Sequence, residues 1–139
     1  YVALVWGEIK EDEGTIEGHI GRNPKNRLQM SVFPDGSSGK TAITHFRIIE
    51  RLGYVTLVEC SLETGRTHQI RVHCQYAGCP IAGDLKYGEK SFNTEMRALG
   101  LKRLFLHADK IKLRHPITGI FLEQTAKIPQ ILKKTLQQL

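Results

Sequence analysis

The densest run of chemically capable side chains is Glu63-Thr-Gly-Arg-Thr-His-Gln-Ile-Arg-Val-His73. A strand reads as ending and a helix as beginning inside it, which puts Thr67, His68 and Gln69 in the helix's first turn. Backbone N–H groups there lack intrahelical partners, and the helix dipole favours an anion. With Arg66 just outside that turn, the segment reads as a phosphate site. Arg71 follows His68 by three residues and shares its side of the helix, roughly opposite Ile70, Cys74 and Ala77. On residue types alone, Arg66, His68 and Arg71 also fit an ordinary solvated helix start.

Other motifs carry less chemistry. Pro34-Asp-Gly-Ser-Ser-Gly-Lys-Thr41 imitates a phosphate-binding loop, but that pattern needs glycine where Pro34 stands, and proline removes a backbone donor. Lys40 reads instead as a cation facing an anionic partner or solvent. His68 and His73, five residues apart, fall on different helix faces, so no metal site is expected from the six histidines. His107 and His115 read as structural, and Trp6 as core. The three cysteines, Cys60, Cys74 and Cys79, form no CxxC pair. Neither a disulfide framework nor a zinc knuckle is indicated, which suits a reducing, cytoplasmic setting.

The elements that position these residues follow from periodicity and turn signals. Tyr1 to Trp6 is strand-like, and Gly14 to Ile20 alternates with the period of a half-buried strand. Gly21 to Arg27, GRNPKNR, is too polar and broken for a core element and reads as an exposed loop offering Arg22, Lys25 and Arg27. Leu28 to Phe33 is a strand and residues 34–39 a loop. Thr41 to Arg51 fits either a helix face or a strand, and a hairpin turning at Leu52-Gly53 into YVTLVECSL is preferred. A helix is expected over Thr67 to Ala77, capped by Thr67 and closed by Gly78 and Pro80. A short helix follows near Thr94 to Leu99. Leu104 to Leu113 reads as strand, His115 to Gly119 as turn, Phe121 to Thr125 as strand, and the tail after Pro129 as helix. The class is α+β, a mainly antiparallel mixed sheet flanked by helices, with no internal domain boundary.

Composition fits a folded domain: 40% hydrophobic and 24% charged residues. A net charge of +6 and a pI near 9.4 favour a polyanionic partner. No apolar run reaches membrane-spanning length, and the start lacks the basic region of a signal peptide. The chain opens without Met, directly on a strand, and is expected to be a truncated one.

GRTHQIRVH, PIAGDLKYG, LHADKIKLRHPITG and the initial Tyr-x-Ala-Leu-Val together resemble the RluA-type RNA pseudouridine synthase family over essentially the whole chain. Within it, IGRNPKNRLQMSV and the ending HPITG...KIPQ are most similar to the D-type large-subunit ribosomal enzymes. The resemblance implies the pseudouridine synthase catalytic fold, with residues 1–139 as the C-terminal part of one catalytic domain. It implies isomerisation of a uridine in RNA, ribosomal RNA if the finer likeness holds, by a monomer without metal or soluble cofactor. The target base must be extruded, with cationic loops holding the distorted backbone. By position, Tyr1 matches the tyrosine that packs on the target base, and Arg71 the arginine that pairs with the catalytic aspartate. RNA contacts are expected from Arg22, Lys25, Arg27, Lys40, Arg66, Thr67, His68 and Gln69. The family's aspartate lies in a His-Arg-Leu-Asp segment upstream of the tyrosine, so this chain alone is expected to be inactive. Asp84 matches a different family position and is expected to brace a turn. The rival from another class is a non-catalytic RNA-binding module.

Overall fold

The computed structural model describes residues 1–139. In chain order it contains β1 (Val2–Trp6), β2 (Glu13–Glu17), β3 (His19–Arg22), β4 (Met30–Phe33), β5 (Ile43–Arg51), β6 (Val55–Leu62), α1 (Gln69–Tyr76), α2 (Lys90–Ala98), β7 (Leu106–His107), β8 (Lys110–Arg114), β9 (Phe121–Thr125) and α3 (Gln130–Gln137). Five strands form one sheet in the order β2-β5-β6-β1-β7, while β3-β4 and β8-β9 are separate two-stranded sheets. Every pairing is antiparallel. No helix is long and apolar enough to cross a membrane.

Side-chain alternation along β1 divides the core in two. Val2 and Leu4 join Val55 and Leu57 against Phe92 and Met96 of α2 and Leu132 of α3. Ala3 and Val5 join Val58 and Cys60 on the other face, against Ile70 and Cys74 of α1 and Ile81. The result is three layers, with α2 and α3 on one face of the sheet and α1 on the other. The segment after α1 pairs with the part of β1 that β7 leaves uncovered: Trp6 N donates to Pro80 O (2.9 Å) and Ala82 N to Leu4 O (2.8 Å). That pairing brings Gly83 and Asp84 round to the end of α2.

The ambiguous Thr41 to Arg51 segment is a strand, turning at Gly53 (φ +84°) with Leu52 N donating to Val55 O at 2.9 Å. Other expectations need correction. The alternating run Gly14 to Ile20 is two strands in different sheets, parted at Gly18, because His19 onward turns to pair with β4. Leu104 to Leu113 likewise divides into β7, on the main sheet, and β8, in a hairpin of its own. The first helix starts at Gln69, not Thr67, and the second begins four residues before Thr94, at Lys90, with Glu89 accepting from Ser91 N. Trp6 is 38% exposed rather than core, at the end of β1, where it stacks on Phe92 with ring centroids 5.7 Å apart.

Hairpin β8-β9 stands away from both clusters. Its register puts Ile111, Leu113 and Leu122 on one face and Lys110, Lys112 and Arg114 on the other, all exposed. Its root is fixed by Ala126 N donating to Asp109 O (2.7 Å).

Candidate active site

The segment from Thr64 to His73 is pinned by a buried polar chain that leaves no group unmatched. Gln69 Oε1 accepts from Arg66 N–H (3.0 Å) and the Thr64 hydroxyl (2.8 Å), which fixes the amide's orientation. Gln69 Nε2 then donates to Ile43 O and Thr44 Oγ1, both at 3.0 Å. The Thr44 hydroxyl is left to donate to His73 Nδ1 (2.7 Å), and His73 Nε2–H to Gly18 O (3.1 Å). Burial depresses the His73 pKa, against the opposing bond to Gly18, so the imidazole is neutral as this chain requires. Gln69 is 3% exposed, and both ends of its amide are committed to protein partners. Gln69→Leu should strand Arg66 N–H and Thr44, costing about 1–3 kcal/mol of stability. Urea unfolding checks this; an unchanged midpoint would mean the network contributes nothing.

The helix start also differs from its expected form. Thr67 is an exposed turn residue that caps nothing, and the N-cap is His68, at φ +56° with no side-chain cap. This left-handed geometry costs a non-glycine residue roughly 1–2 kcal/mol. It aims the ring at Tyr87, whose hydroxyl lies 2.8 Å from His68 Nδ1 and also accepts Met30 N–H at 2.9 Å. Burial, then the charges of Arg71 and Lys86, lower the His68 pKa and favour the neutral ring beside the Tyr87 hydroxyl.

Arg71 lies over the Tyr87 ring, its guanidinium carbon 5.0 Å from the centroid, and meets Asp84 in a two-bond fork. Nε donates to Oδ2 (2.8 Å) and Nη2 to Oδ1 (2.9 Å). Asp84 Oδ1 also accepts Lys86 N–H (3.0 Å) and Tyr87 N–H (2.9 Å), the expected turn-bracing role. Burial opposes ionisation of Asp84, but the Arg71 bonds and the two amides outweigh it and hold the carboxyl below its ordinary 3.8. The pair with Asp84 raises Arg71 further. Motif matching assigns Arg71 an upstream aspartate as partner; here one edge of its fork is occupied by Asp84, and Nη1 has no protein acceptor. Both glycines flanking this turn are obligatory. Gly83 sits at φ +79° with Arg103 O against the place of a Cβ, and at Gly88 a Cβ meets Asp84 O.

Tyr1, Arg66, His68 and Arg71 line one cavity of about 360 Å³, with Leu62, Ile70, Leu104 and Leu106 as apolar walls. Tyr1 and Arg71, both singled out by the family resemblance, thus line the same cavity. Arg66 is held there by Nε donating to Thr41 O (2.8 Å). Arg22, Lys25, Arg27 and Lys40 do not reach this cavity. Arg22 ends β3 and Lys25 and Arg27 stand on the β3-β4 connection, where Arg22 Nη1 donates to Arg27 O (2.9 Å), and Lys40 N pairs with Ile20 O at 3.0 Å. That connection is nevertheless tied to the site. Lys86 Nζ donates to Leu28 O (3.0 Å) and Gln29 Nε2 to Lys86 O (3.3 Å), beside the Met30–Tyr87 bond.

Sequence reasoning missed Tyr87 and Asn93. Tyr87 was legible as the tyrosine of Gly-Asp-x-x-Tyr-Gly. Asn93, whose Nδ2 donates to Asp84 O (2.8 Å) and whose Oδ1 accepts Gly83 N–H (2.9 Å), had no local signal. The cysteines offer no thiolate nucleophile: all three line an apolar cavity beneath α1, and burial pushes Cys60 up to about 11 and Cys74 well above the usual range.

Residues 1–76 match the family model described as RNA pseudouridylate synthase. The chain is 45% identical over its whole length to the uncharacterized RNA pseudouridine synthase YlyB of Bacillus subtilis, of which it spans 43%. It is 43% identical to ribosomal large subunit pseudouridine synthase C of Salmonella typhimurium, spanning 44% of that protein. Among solved structures, human RNA pseudouridylate synthase domain containing 1 superposes with a TM-score of 0.76 at 33% identity, covering 92% of this chain and 53% of that one.

Proposed function

The chain belongs to the RNA pseudouridylate synthase family, and from that membership we propose that it is the C-terminal part of a catalytic domain that isomerises uridine to pseudouridine in RNA. The observation that carries the reading is the cavity itself: Tyr1, Arg66, His68 and Arg71 around walls of Leu62, Ile70, Leu104 and Leu106. Apolar walls with few convergent polar groups suit a flipped base, and the cations suit the phosphates beside it.

In this reading Tyr1 packs on the uracil near C5. Arg71, braced by Asp84 and Tyr87, directs its unengaged Nη1 to the nucleophilic carboxylate that the resemblance places upstream of Tyr1. The glycosidic bond breaks, the uracil turns, C5 joins the sugar, and the C5 proton is lost while the detached nitrogen gains one. Arg66 and His68 hold the flanking backbone, and the loop of Arg22, Lys25 and Arg27 extends that contact. Because the chain spans less than half of its curated relatives, the activity is assigned to a polypeptide that includes the upstream segment. The relatives named as type C large-subunit enzymes support large-subunit ribosomal RNA as the substrate class without singling out type D.

Release of tritium from C5-labelled uridine in a ribosomal transcript tests the proposal. A protein extended upstream should release it, and the 139-residue chain alone should not. No release by the extended protein overturns the activity, and equal release by the short chain overturns the upstream nucleophile.

A further inference from the structure

A second cationic surface lies beside the site, on residues that no sequence motif singles out. Helix α2 buries Phe92 and Met96 and so turns Lys90, Thr94 and Arg97 outward at spacings of four and three. Lys102 and Arg103 follow in the next turn and are exposed. Lys90, Arg97, Lys102 and Arg103 take part in none of the ion pairs of the fold. Of the nearby acids, Asp84 is paired with Arg71, and Glu89 accepts from the amide and hydroxyl of Ser91 at 3.2 and 2.9 Å, while Glu95 is exposed on α2 and lines neither cavity.

Position matters as much as charge. A cavity of about 340 Å³ is lined by Arg71, Asp84, Asn93, Arg97, Lys102 and Arg103, and it shares Arg71 and Leu104 with the cavity of Tyr1. Asn93 clamps α2 to Gly83 and Asp84, so the outward cations sit at a fixed place relative to Arg71. Arg103 Nε donates to Leu104 O (3.2 Å), which holds its guanidinium near the shared wall. Arg97, Lys102 and Arg103 in one concave surface, whose only lining carboxylate, Asp84, is already paired with Arg71, fit a run of phosphates.

We propose that Lys90, Arg97, Lys102 and Arg103 form a phosphate-binding track for the RNA backbone next to the uridine held at Tyr1 and Arg71. This rests on the RNA-modifying reading above. RNA leaving the base cavity over Arg71 and Leu104 meets these cations directly, whereas the β3-β4 connection meets the same Gly83–Gly88 turn through Lys86 and Tyr87.

The test uses the protein with its upstream segment and a fluorescent ribosomal RNA fragment, titrated across a series of KCl concentrations. Removing one cation that neutralises a phosphate should flatten the slope of log affinity against log salt by about 0.7 for single-stranded RNA. The triple variant Arg97→Gln/Lys102→Gln/Arg103→Gln should bind more weakly and lose about two units of slope; Arg97→Gln alone should lose about 0.7. Lys10→Gln, on the rim of the apolar cavity beneath α1, should match the parent. Parental affinity and slope in the triple variant, folded by circular dichroism, overturn the track, as does an equal loss in Lys10→Gln. A parent that binds no RNA overturns the RNA reading as well.

Discussion

Replacing Asp84 with alanine should destabilise the fold by about 3–5 kcal/mol, because it leaves the Arg71 guanidinium without its counter-charge in a largely buried place. Asp84 is 1% exposed, and the Arg71 side chain 20%. The same carboxylate closes the Lys86 and Tyr87 amides, so the turn from Gly83 to Gly88 loses its brace as well. Against a typical total of roughly 5–15 kcal/mol, that is a large fraction. The effect should depend on pH in a set direction. Asp84 has a folded pKa below its ordinary 3.8, so its contribution is fully present above that value and disappears as pH falls through the lower, folded value. Urea unfolding should therefore give a constant gap between parent and Asp84→Ala from about pH 5 to 8 that narrows in more acidic solution. A gap under about 1 kcal/mol at neutral pH would make the pair a marginal surface contact.

In the protein with its upstream segment, Arg71→Lys should reduce turnover at saturating RNA by about a hundredfold, the typical cost of a small displacement of a catalytic group. Lysine is a point charge with no fork. It can answer Asp84 or a second carboxylate, but it cannot hold the two-bond pair at 2.8 and 2.9 Å while offering Nη1 elsewhere. Tyr87 also loses the planar cation stacked on its ring. RNA affinity should change far less than turnover, which separates Arg71 from Arg22 or Lys25, whose replacement should weaken binding and flatten its salt dependence. Parental turnover by a folded Arg71→Lys would reduce Arg71 to a structural partner of Asp84.

Much of this was legible locally. The strand of Tyr1 to Trp6, the hairpin at Leu52-Gly53, the helix expected over Thr67 to Ala77 and found from Gln69, and the terminal helix follow from periodicity and turn residues, which act between near neighbours in the chain. Tyr1 and Arg71, each singled out through the family resemblance, stand far apart in the chain and line one cavity. Where reading failed, a distant partner decided. The alternation through Gly18 is continuous in sequence, but the chain changes sheet there because β4 takes β3 while β5 takes β2.

Residue types by themselves determined the α+β class, the surplus of positive charge, the glycines of the Gly83–Gly88 turn and the motifs that mark the family. Only the tertiary structure decided how the polar side chains of Arg66 to His73 are used. Gln69 turns inward because Thr44, Ile43 and the Arg66 amide converge on it from elements the local sequence does not show. Arg71 meets Asp84 because the chain from Pro80 pairs with the part of β1 that β7 leaves uncovered and Asn93 fixes it there. Backbone preference is a property of neighbouring residues, whereas a buried donor or acceptor is directed by whichever distant group would otherwise be left unpaired.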